Sequence, residues 1–183
     1  MNISAPFDLK AFNTFSVQAW ADHCHVIDSV EAAQQCLQDY GPPDLILSGG
    51  SNILLVKEQL GRVWINRIKG RSILARDANK VHVRLNAGEV WDEAVHWTLQ
   101  QDAFGLENLA LIPGCCGAAP IQNIGAYGVE LSRFLTSVEL LRLDTGTILQ
   151  LKNIDCEFSY RFSRFKNEQH FPFLITGINL DLL

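Results

Sequence analysis

Apolar residues along the chain change their spacing several times, and each change predicts an element. Residues 28–43 carry apolar side chains at helical spacing, which predicts a helix that begins at an Asp28 cap and ends at Gly41. The same spacing predicts a second helix over 90–102. Short apolar or alternating runs predict strands at 44–48, 52–56, 62–68, 81–88 and 171–183, and a hairpin whose strands 137–143 and 147–151 flank Asp144-Thr145-Gly146.

The predicted strands outnumber the helices and do not alternate with them regularly. This order favours an α+β fold over a doubly wound parallel sheet. The polar stretch at 71–80 interrupts the pattern, and we expect it to separate two small lobes, residues 1–75 and residues 76–183.

Composition narrows the class of protein. A chain of 183 residues with 48% hydrophobic and 19% charged residues is typical of a globular domain with a real core. Fifteen basic and twenty acidic residues give a net charge of −5, which disfavours a nucleic-acid-binding surface. The sequence contains no run of about 18 apolar residues, so it predicts no membrane span.

The cysteines indicate a reducing compartment. The start of the chain lacks the pattern of a secretory signal, and five cysteines cannot all pair with one another, so we expect reduced thiols and a cytoplasmic protein. His23-Cys24-His25 has the residue types of a metal site, but no matching cluster follows at zinc spacing. We therefore expect no metal.

A first glycine-rich loop, SGGSN at 48–52, follows a predicted strand. Gly49 and Gly50 permit close backbone approach to a ligand, and successive N–H groups in such a turn can bind an anion. The loop matches neither GxGxxG nor the P-loop, because no Lys-Ser/Thr pair follows. Taken alone, it fits a β-turn between hydrophobic strands better than a binding site.

A second loop, PGCCGAAPIQNIGAYG at 113–128, contains no charged residue, four glycines and two prolines. Gln122 and Asn123 add donors and acceptors to an otherwise apolar run. These features suit a flat aromatic ligand with hydrogen-bonding edges, whose phosphates free backbone N–H groups would hold. A buried irregular connection packed by its own small residues is the alternative. Two such loops in one small chain favour a shared ligand.

Four segments together carry a resemblance to a known family. SGGSNILL at 48–55 and LENLALIPGCCGAAPIQNIGAYGVEL at 106–131 closely resemble the bacterial UDP-N-acetylenolpyruvoylglucosamine reductase (MurB) family, flavoenzymes of peptidoglycan precursor synthesis. NTFSV at 13–17 and SYRFSRFK at 159–166 are similar to further family segments, in the family's order. The amino-acid sequence of residues 106–131 resembles that of the type I branch of this family.

The resemblance implies a fold and a cofactor. The family binds FAD non-covalently between two α+β lobes of the vanillyl-alcohol-oxidase type. The cofactor residues that the resemblance implies lie in the two loops: Ser48, Gly49, Gly50, Ser51, Asn52, Pro113, Gly114, Cys115, Gly117, Ala118, Ala119, Pro120, Gln122, Asn123, Gly125, Ala126, Tyr127 and Gly128.

The resemblance also implies a reaction. In this family NADPH reduces the flavin, and the enolpyruvyl group of the UDP-sugar substrate then receives the hydride. Arg161 matches the arginine that stabilises the enolate-like intermediate, and Tyr160 and Lys166 are expected to contact the substrate. A fixed guanidinium suits this role because hydride addition builds negative charge onto a carboxylate-conjugated system. If the resemblance is set aside, an arginine in such a segment more often forms a surface ion pair than a catalytic contact, and this alternative applies to Arg161.

Several positions depart from the family pattern. Ser48 stands where many relatives have glycine, and Ser159, Phe162 and Arg164 replace the more usual Gly, Asp and apolar residue. No segment resembles the family's Ser-Gly-Ser-Phe-Phe-Lys motif, which holds the proton-donating serine. We therefore expect the FAD-binding portion of a reductase or, as the alternative, a truncated flavin-binding module without activity of its own. A related oxidase would tether the flavin covalently, for which Cys115 and Cys116 are the nearest candidates.

Overall fold

A computed structural model describes residues 2–166 and 172–183. The helices are α1 Val30–Tyr40 and α2 Trp91–Gln100. The strands are β1 Asn2–Asp8, β2 Trp20–Ile27, β3 Leu45–Leu47, β4 Gln59–Asn66, β5 Arg71–Arg76, β6 Val81–Asn86, β7 Gly125–Ala126, β8 Val129–Glu130, β9 Leu135–Arg142, β10 Ile148–Lys152 and β11 Phe173–Leu182.

Nine of the eleven strands within the described residues form two larger sheets. The first has the order β1-β2-β4-β3, in which β4 runs parallel to β2 and β3 while β1 is antiparallel to β2. The second has the order β10-β9-β11-β6-β5 and is antiparallel throughout. Strands β7 and β8 form a separate short hairpin. The predicted α+β class is confirmed.

Three apolar clusters hold these layers together. One lies between the antiparallel sheet and α2, and a second lies against the first sheet. In the third, Trp64 of the first sheet packs with Leu141 and Leu174 of the second and with α1. Burial of each large side chain contributes about 1.5–3 kcal/mol, so this shared cluster joins the two sheets firmly.

The structure corrects three local predictions. Ser29, not Asp28, caps α1, because its backbone is extended and its Oγ accepts from the Ala32 N–H at 3.0 Å. Residues 52–56 pair with no strand among the described residues, because the first glycine loop continues through them. Most of the polar stretch 71–80 forms β5 rather than a connection, because its strand pairs with β6.

The remaining elements agree with the predicted pattern within a few residues. The last strand begins at Phe173, and Phe171 lies outside the described residues. Strands β1 and β2 were not predicted. The step from one sheet to the other lies at residues 67–70, a few residues before the expected division into lobes 1–75 and 76–183, which stays a prediction.

Candidate functional site

A cleft of about 610 Å³ is lined by residues of both larger sheets and by both glycine-rich loops. Most of the predicted cofactor residues line it. They are Ser48, Gly49, Gly50, Ser51, Asn52, Pro113, Gly114, Cys115, Gly117, Ala118, Ala119 and Gln122. The structure therefore brings together two segments that lie about sixty residues apart in the sequence.

The two loops touch at their glycines. A Cβ atom placed on Gly49 would lie 3.4 Å from the Cα of Gly114, so the backbones pass in van der Waals contact. Gly50 has a φ of 60°, and a Cβ there would overlap the carbonyl oxygen of Phe12. Only glycine fits at position 50 without moving the loop.

Backbone donors in both loops remain available. The N–H groups of Gly50, Ser51 and Asn52, and those of Gly114 and Cys115, donate to no acceptor within the described part of the chain. Adjacent N–H groups of this kind form an anion-binding concavity. No Asp or Glu lines the cleft, and Arg161 is its single charged lining residue among those described. The cleft therefore suits a ligand that carries a diphosphate.

The remaining cofactor candidates lie elsewhere. Asn123, Gly125, Ala126, Tyr127 and Gly128 line a second cavity of about 760 Å³ beside the β7–β8 hairpin. Pro120 is buried and lines neither cavity. Tyr160 lines the second cavity, and Arg161 borders both, which places Arg161 where the two spaces meet.

The amide of Asn123 is fully engaged with protein. Its Nδ2 donates to Oε2 of Glu130 at 2.9 Å and to the carbonyl of Ser159 at 3.2 Å, and its Oδ1 accepts from the Ser132 N–H. These bonds join the second loop to the segment that carries Arg161, which is a structural role.

Arg161 occupies the tip of a tight turn. Ser159 and Phe162 exchange two backbone hydrogen bonds of 3.1 Å, and Arg161 between them has a φ of 53°. Its Nη2 donates to the carbonyl of Gly125 at 2.9 Å. Lys166 lines neither cavity; its Nζ donates to the Arg161 carbonyl at 3.2 Å.

Residues 22–152 match the family described as "FAD binding domain", which is more than half of the chain. The chain belongs to the FAD binding domain family. This agrees with a cleft that offers backbone donors to a diphosphate and a glycine at the point of closest packing.

Relatives of this FAD binding domain include a "UDP-N-acetylenolpyruvoylglucosamine reductase" of Shigella boydii, 47% identical over 96% of this chain and 52% of that protein. The corresponding protein of Pasteurella multocida is 42% identical over 96% of this chain and 52% of that protein. The chain spans about half the length of these curated relatives.

A solved structure shows the same fold. The reductase (MurB) of Thermus caldophilus superposes with a TM-score of 0.76 at 24% identity, covering 100% of this chain and 63% of that one. This likeness shows the fold alone. The predicted vanillyl-alcohol-oxidase type of FAD-binding fold is confirmed.

Within the FAD binding domain, the sequence missed the apolar walls of the cleft. They come from strands and loops whose side chains look like ordinary core: Ile46, Ile53, Trp91, Ile112, Ile121, Ile124, Phe173, Leu174 and Ile175. Trp91 also fixes the second loop, since its backbone N–H donates to the Gly114 carbonyl at 3.0 Å. A short apolar run gives no signal that separates a cleft wall from a core.

The NTFSV segment supports the first loop. The backbone N–H of Thr14 donates to the Gly50 carbonyl at 3.1 Å. Asn13 is buried, and its side chain donates to the carbonyls of Leu9 and Val17 and accepts from the Val17 N–H. The side chain of Asn13 thus holds the turn against which Gly50 packs.

The thiols of the FAD binding domain are poorly suited to a covalent tether. Cys115 and Cys116 are buried, and burial raises the pKa of both thiols. A protonated thiol is a weak nucleophile. All five cysteines are free and buried.

Within residues 2–166 and 172–183, no group of three or more His, Cys, Asp or Glu side chains is placed to hold a metal ion. Neither helix of that part of the chain has the length and apolar run that a membrane span requires.

Proposed function

We propose that this chain is the FAD-binding part of a NADPH-dependent UDP-N-acetylenolpyruvoylglucosamine reductase, which acts in peptidoglycan precursor synthesis in the cytoplasm. The observation that carries the proposal is the meeting of two glycine loops, with their free N–H groups, in one cleft whose described lining residues include no carboxylate. The 47% identity to a protein of that name supports the choice of reaction.

The residues of the cleft have distinct tasks in this proposal. The N–H groups of the Gly50 and Gly114 loops hold the diphosphate, and the apolar walls exclude water from the flavin. Bound FAD would supply the hydride chemistry between NADPH and the enolpyruvyl group. Arg161 holds the substrate carboxylate and stabilises the charge that develops on it; loss of one such preorganised donor typically lowers the rate by about 10²–10³.

One observation favours the second candidate, a flavin-binding module without activity of its own. Arg161 is exposed at the tip of its turn, and the neighbouring Tyr160 is 82% exposed. Electrostatic stabilisation weakens sharply where water surrounds a charge. The two candidates share FAD binding and differ in turnover.

Spectroscopy of the 183-residue polypeptide tests both candidates. We expect reconstitution with FAD to give a flavin absorption band that NADPH bleaches in the absence of oxygen. Oxidation of the bleached protein by the enolpyruvyl UDP-sugar supports the reductase, and bleaching without that step supports the silent module. A protein that binds no FAD under any condition contradicts the proposal.

Gly50→Ala provides the matched test of the site. We expect this variant to lose FAD binding, because the new Cβ collides with the Phe12 carbonyl and displaces the loop. Gly146→Ala is its control, since Gly146 also has a positive φ, 71°, but its Cβ would meet only Leu37 Cδ2 at 3.9 Å and it lies in the β9–β10 hairpin. Equal FAD affinity in the two variants would argue against a role for the first loop.

A further inference from the structure

Three basic residues lie between β4 and β5 or at the start of β5, and two of them have a carboxylate partner. The buried carboxylate of Glu89 lies 3.0 Å from Nε of Arg71 and 4.0 Å from Nζ of Lys69. Arg67 takes part in no ion pair among residues 2–166 and 172–183. Arg67 therefore carries a positive charge that no described carboxylate balances.

Arg67 is attached to the first glycine loop. Its Nη1 donates to the carbonyl oxygen of Ser48 at 3.0 Å and, more weakly, to that of Asn66 at 3.4 Å. Its backbone N–H donates to the Ile27 carbonyl at 2.7 Å, which anchors the residue to the end of β2. The guanidinium is therefore bonded to the first glycine loop, in which the N–H groups of Gly50, Ser51 and Asn52 donate to no described acceptor.

Arg67 also lies near the second loop. Burial raises the pKa of the Cys115 thiol, and the positive charge of Arg67 is the largest influence that opposes this rise. Cys115 lines the cleft, so the charge of Arg67 is felt at the place where the two loops meet.

An unbalanced, half-buried guanidinium favours an anion nearby. Removing a cation from water is costly unless an opposite charge compensates it, and the interior strengthens that interaction. The donors of Gly50, Ser51 and Asn52 adjoin Ser48, whose carbonyl Arg67 holds. A diphosphate on those donors would supply the missing negative charge.

We propose that Arg67 is a positioning residue for a diphosphate-containing flavin. It fixes the first loop through the Ser48 carbonyl and gives that loop the positive charge against which the diphosphate binds. This inference rests on the proposed function, and it adds that affinity for the phosphate part of the cofactor depends on a residue outside both glycine loops.

Flavin titrations of Arg67→Gln and Arg67→Lys test the inference. We expect Arg67→Gln to bind FAD about 10- to 100-fold more weakly, as for loss of one charge-assisted interaction, and Arg67→Lys to recover part of that loss. Riboflavin, which has no phosphate and is measured by competition, should bind all three proteins equally. Added salt should weaken FAD binding less in Arg67→Gln than in the wild type.

Other outcomes separate the inference from the proposed function. Equal losses for FAD and riboflavin, with an unchanged salt dependence, would show that Arg67 only supports the fold, and unchanged FAD affinity would also overturn the inference. If riboflavin binds too weakly to measure, the salt dependence of FAD binding distinguishes a diphosphate-positioning role of Arg67 from a role in the fold alone. A wild-type protein that binds no FAD would overturn the proposed function and the inference with it. Arg76→Gln is the control, because Arg76 also donates to a backbone carbonyl, but that carbonyl belongs to Gln101 at the end of α2 and not to a glycine loop.

Discussion

At the scale of single residues, backbone conformation decides what positions near the cleft can hold. Gly50 has a φ of 60° and no room for a side chain, so conformation and packing both require glycine. Arg161 has nearly the same φ, 53°, yet carries a long side chain. A left-handed conformation costs a residue with a Cβ about 1–2 kcal/mol.

We therefore expect Arg161→Gly to stabilise the protein. The substitution relieves the left-handed strain at the cost of one exposed hydrogen bond to Gly125, of the contact between the guanidinium and the Tyr160 ring, 5.8 Å away, and of a more flexible unfolded chain. Since these losses offset part of the roughly 1–2 kcal/mol of strain, the free energy of unfolding should rise by no more than about 1 kcal/mol, as measured by urea denaturation. Tyr160→Gly, the neighbouring position without a positive φ, is the control and should destabilise by a similar amount. A stability loss in Arg161→Gly as large as that of the control would show that Arg161 is not strained.

The sequence predicted loop residues better than the side chains around them. Glycines at 49, 50 and 114 are informative because a glycine at a turn implies a close approach, and all three line the cleft. Gly125 and Gly128 carry the same signal but line the second cavity, because the chain leaves the cleft after Ile124. No spacing rule reveals this change of path, which depends on the bonds of Asn123 to Glu130 and Ser132.

At the scale of elements, the caps and edges of α1 and the strands were the least predictable features. Asp28, the predicted cap of α1, is adjacent to Ser29, the observed cap, and the sequence alone does not reveal that Ser29 accepts from the Ala32 N–H. Strand β2 contains polar residues within its run, and its burial depends on β1 and β4 on either side. Strong periodicity gave α2 and the β9–β10 hairpin correctly, because their apolar faces pack on a single core.

Paired substitutions test the cap of α1. We expect Ser29→Ala to lower the free energy of unfolding by about 1 kcal/mol, because the Ala32 N–H loses its acceptor. Asp28→Ala serves as the matched control and should change stability by less than about 0.5 kcal/mol, as for most exposed substitutions. The comparison is made by denaturant unfolding. A larger effect at Asp28 would restore the aspartate as the cap.

At the scale of the whole molecule, a charged cluster joins strands β6 and β11 of the antiparallel sheet to the turn between β5 and β6. His82 on β6 contacts Oδ1 of Asp181 on β11 through Nδ1 at 2.6 Å and Oδ2 of Asp77 through Nε2 at 3.3 Å. Lys80 also reaches Asp181, at 3.0 Å. The hydrogen bonds to Asp181 and then to Asp77 raise the pKa of His82, against a smaller opposing effect of burial.

This raised pKa predicts a pH-dependent contribution to stability. Folding favours the protonated imidazole, so the contribution is fully present below the ordinary histidine value of 6.5 and is lost as pH rises through the higher folded-state pKa. We expect wild type to exceed His82→Gln in stability by more at about pH 6 than at about pH 9, as measured by thermal unfolding. His23→Gln, an exposed position with no ion pair among the described residues, should show no such trend. Parallel pH profiles for wild type and His82→Gln would contradict the assignment.

The free N–H groups of the two loops have a consequence for how such a cleft tolerates sequence drift. Every residue except proline supplies a backbone N–H, so the ability to hold a phosphate does not depend on which side chain stands at Ser51 or Asn52. Phosphate binding depends instead on the absence of a side chain at a few points of contact, such as Gly50 against Phe12 and Gly49 against Gly114. Distant descendants of this chain can therefore exchange most side chains of the loops and keep their ligand, provided that the glycines at the points of contact remain.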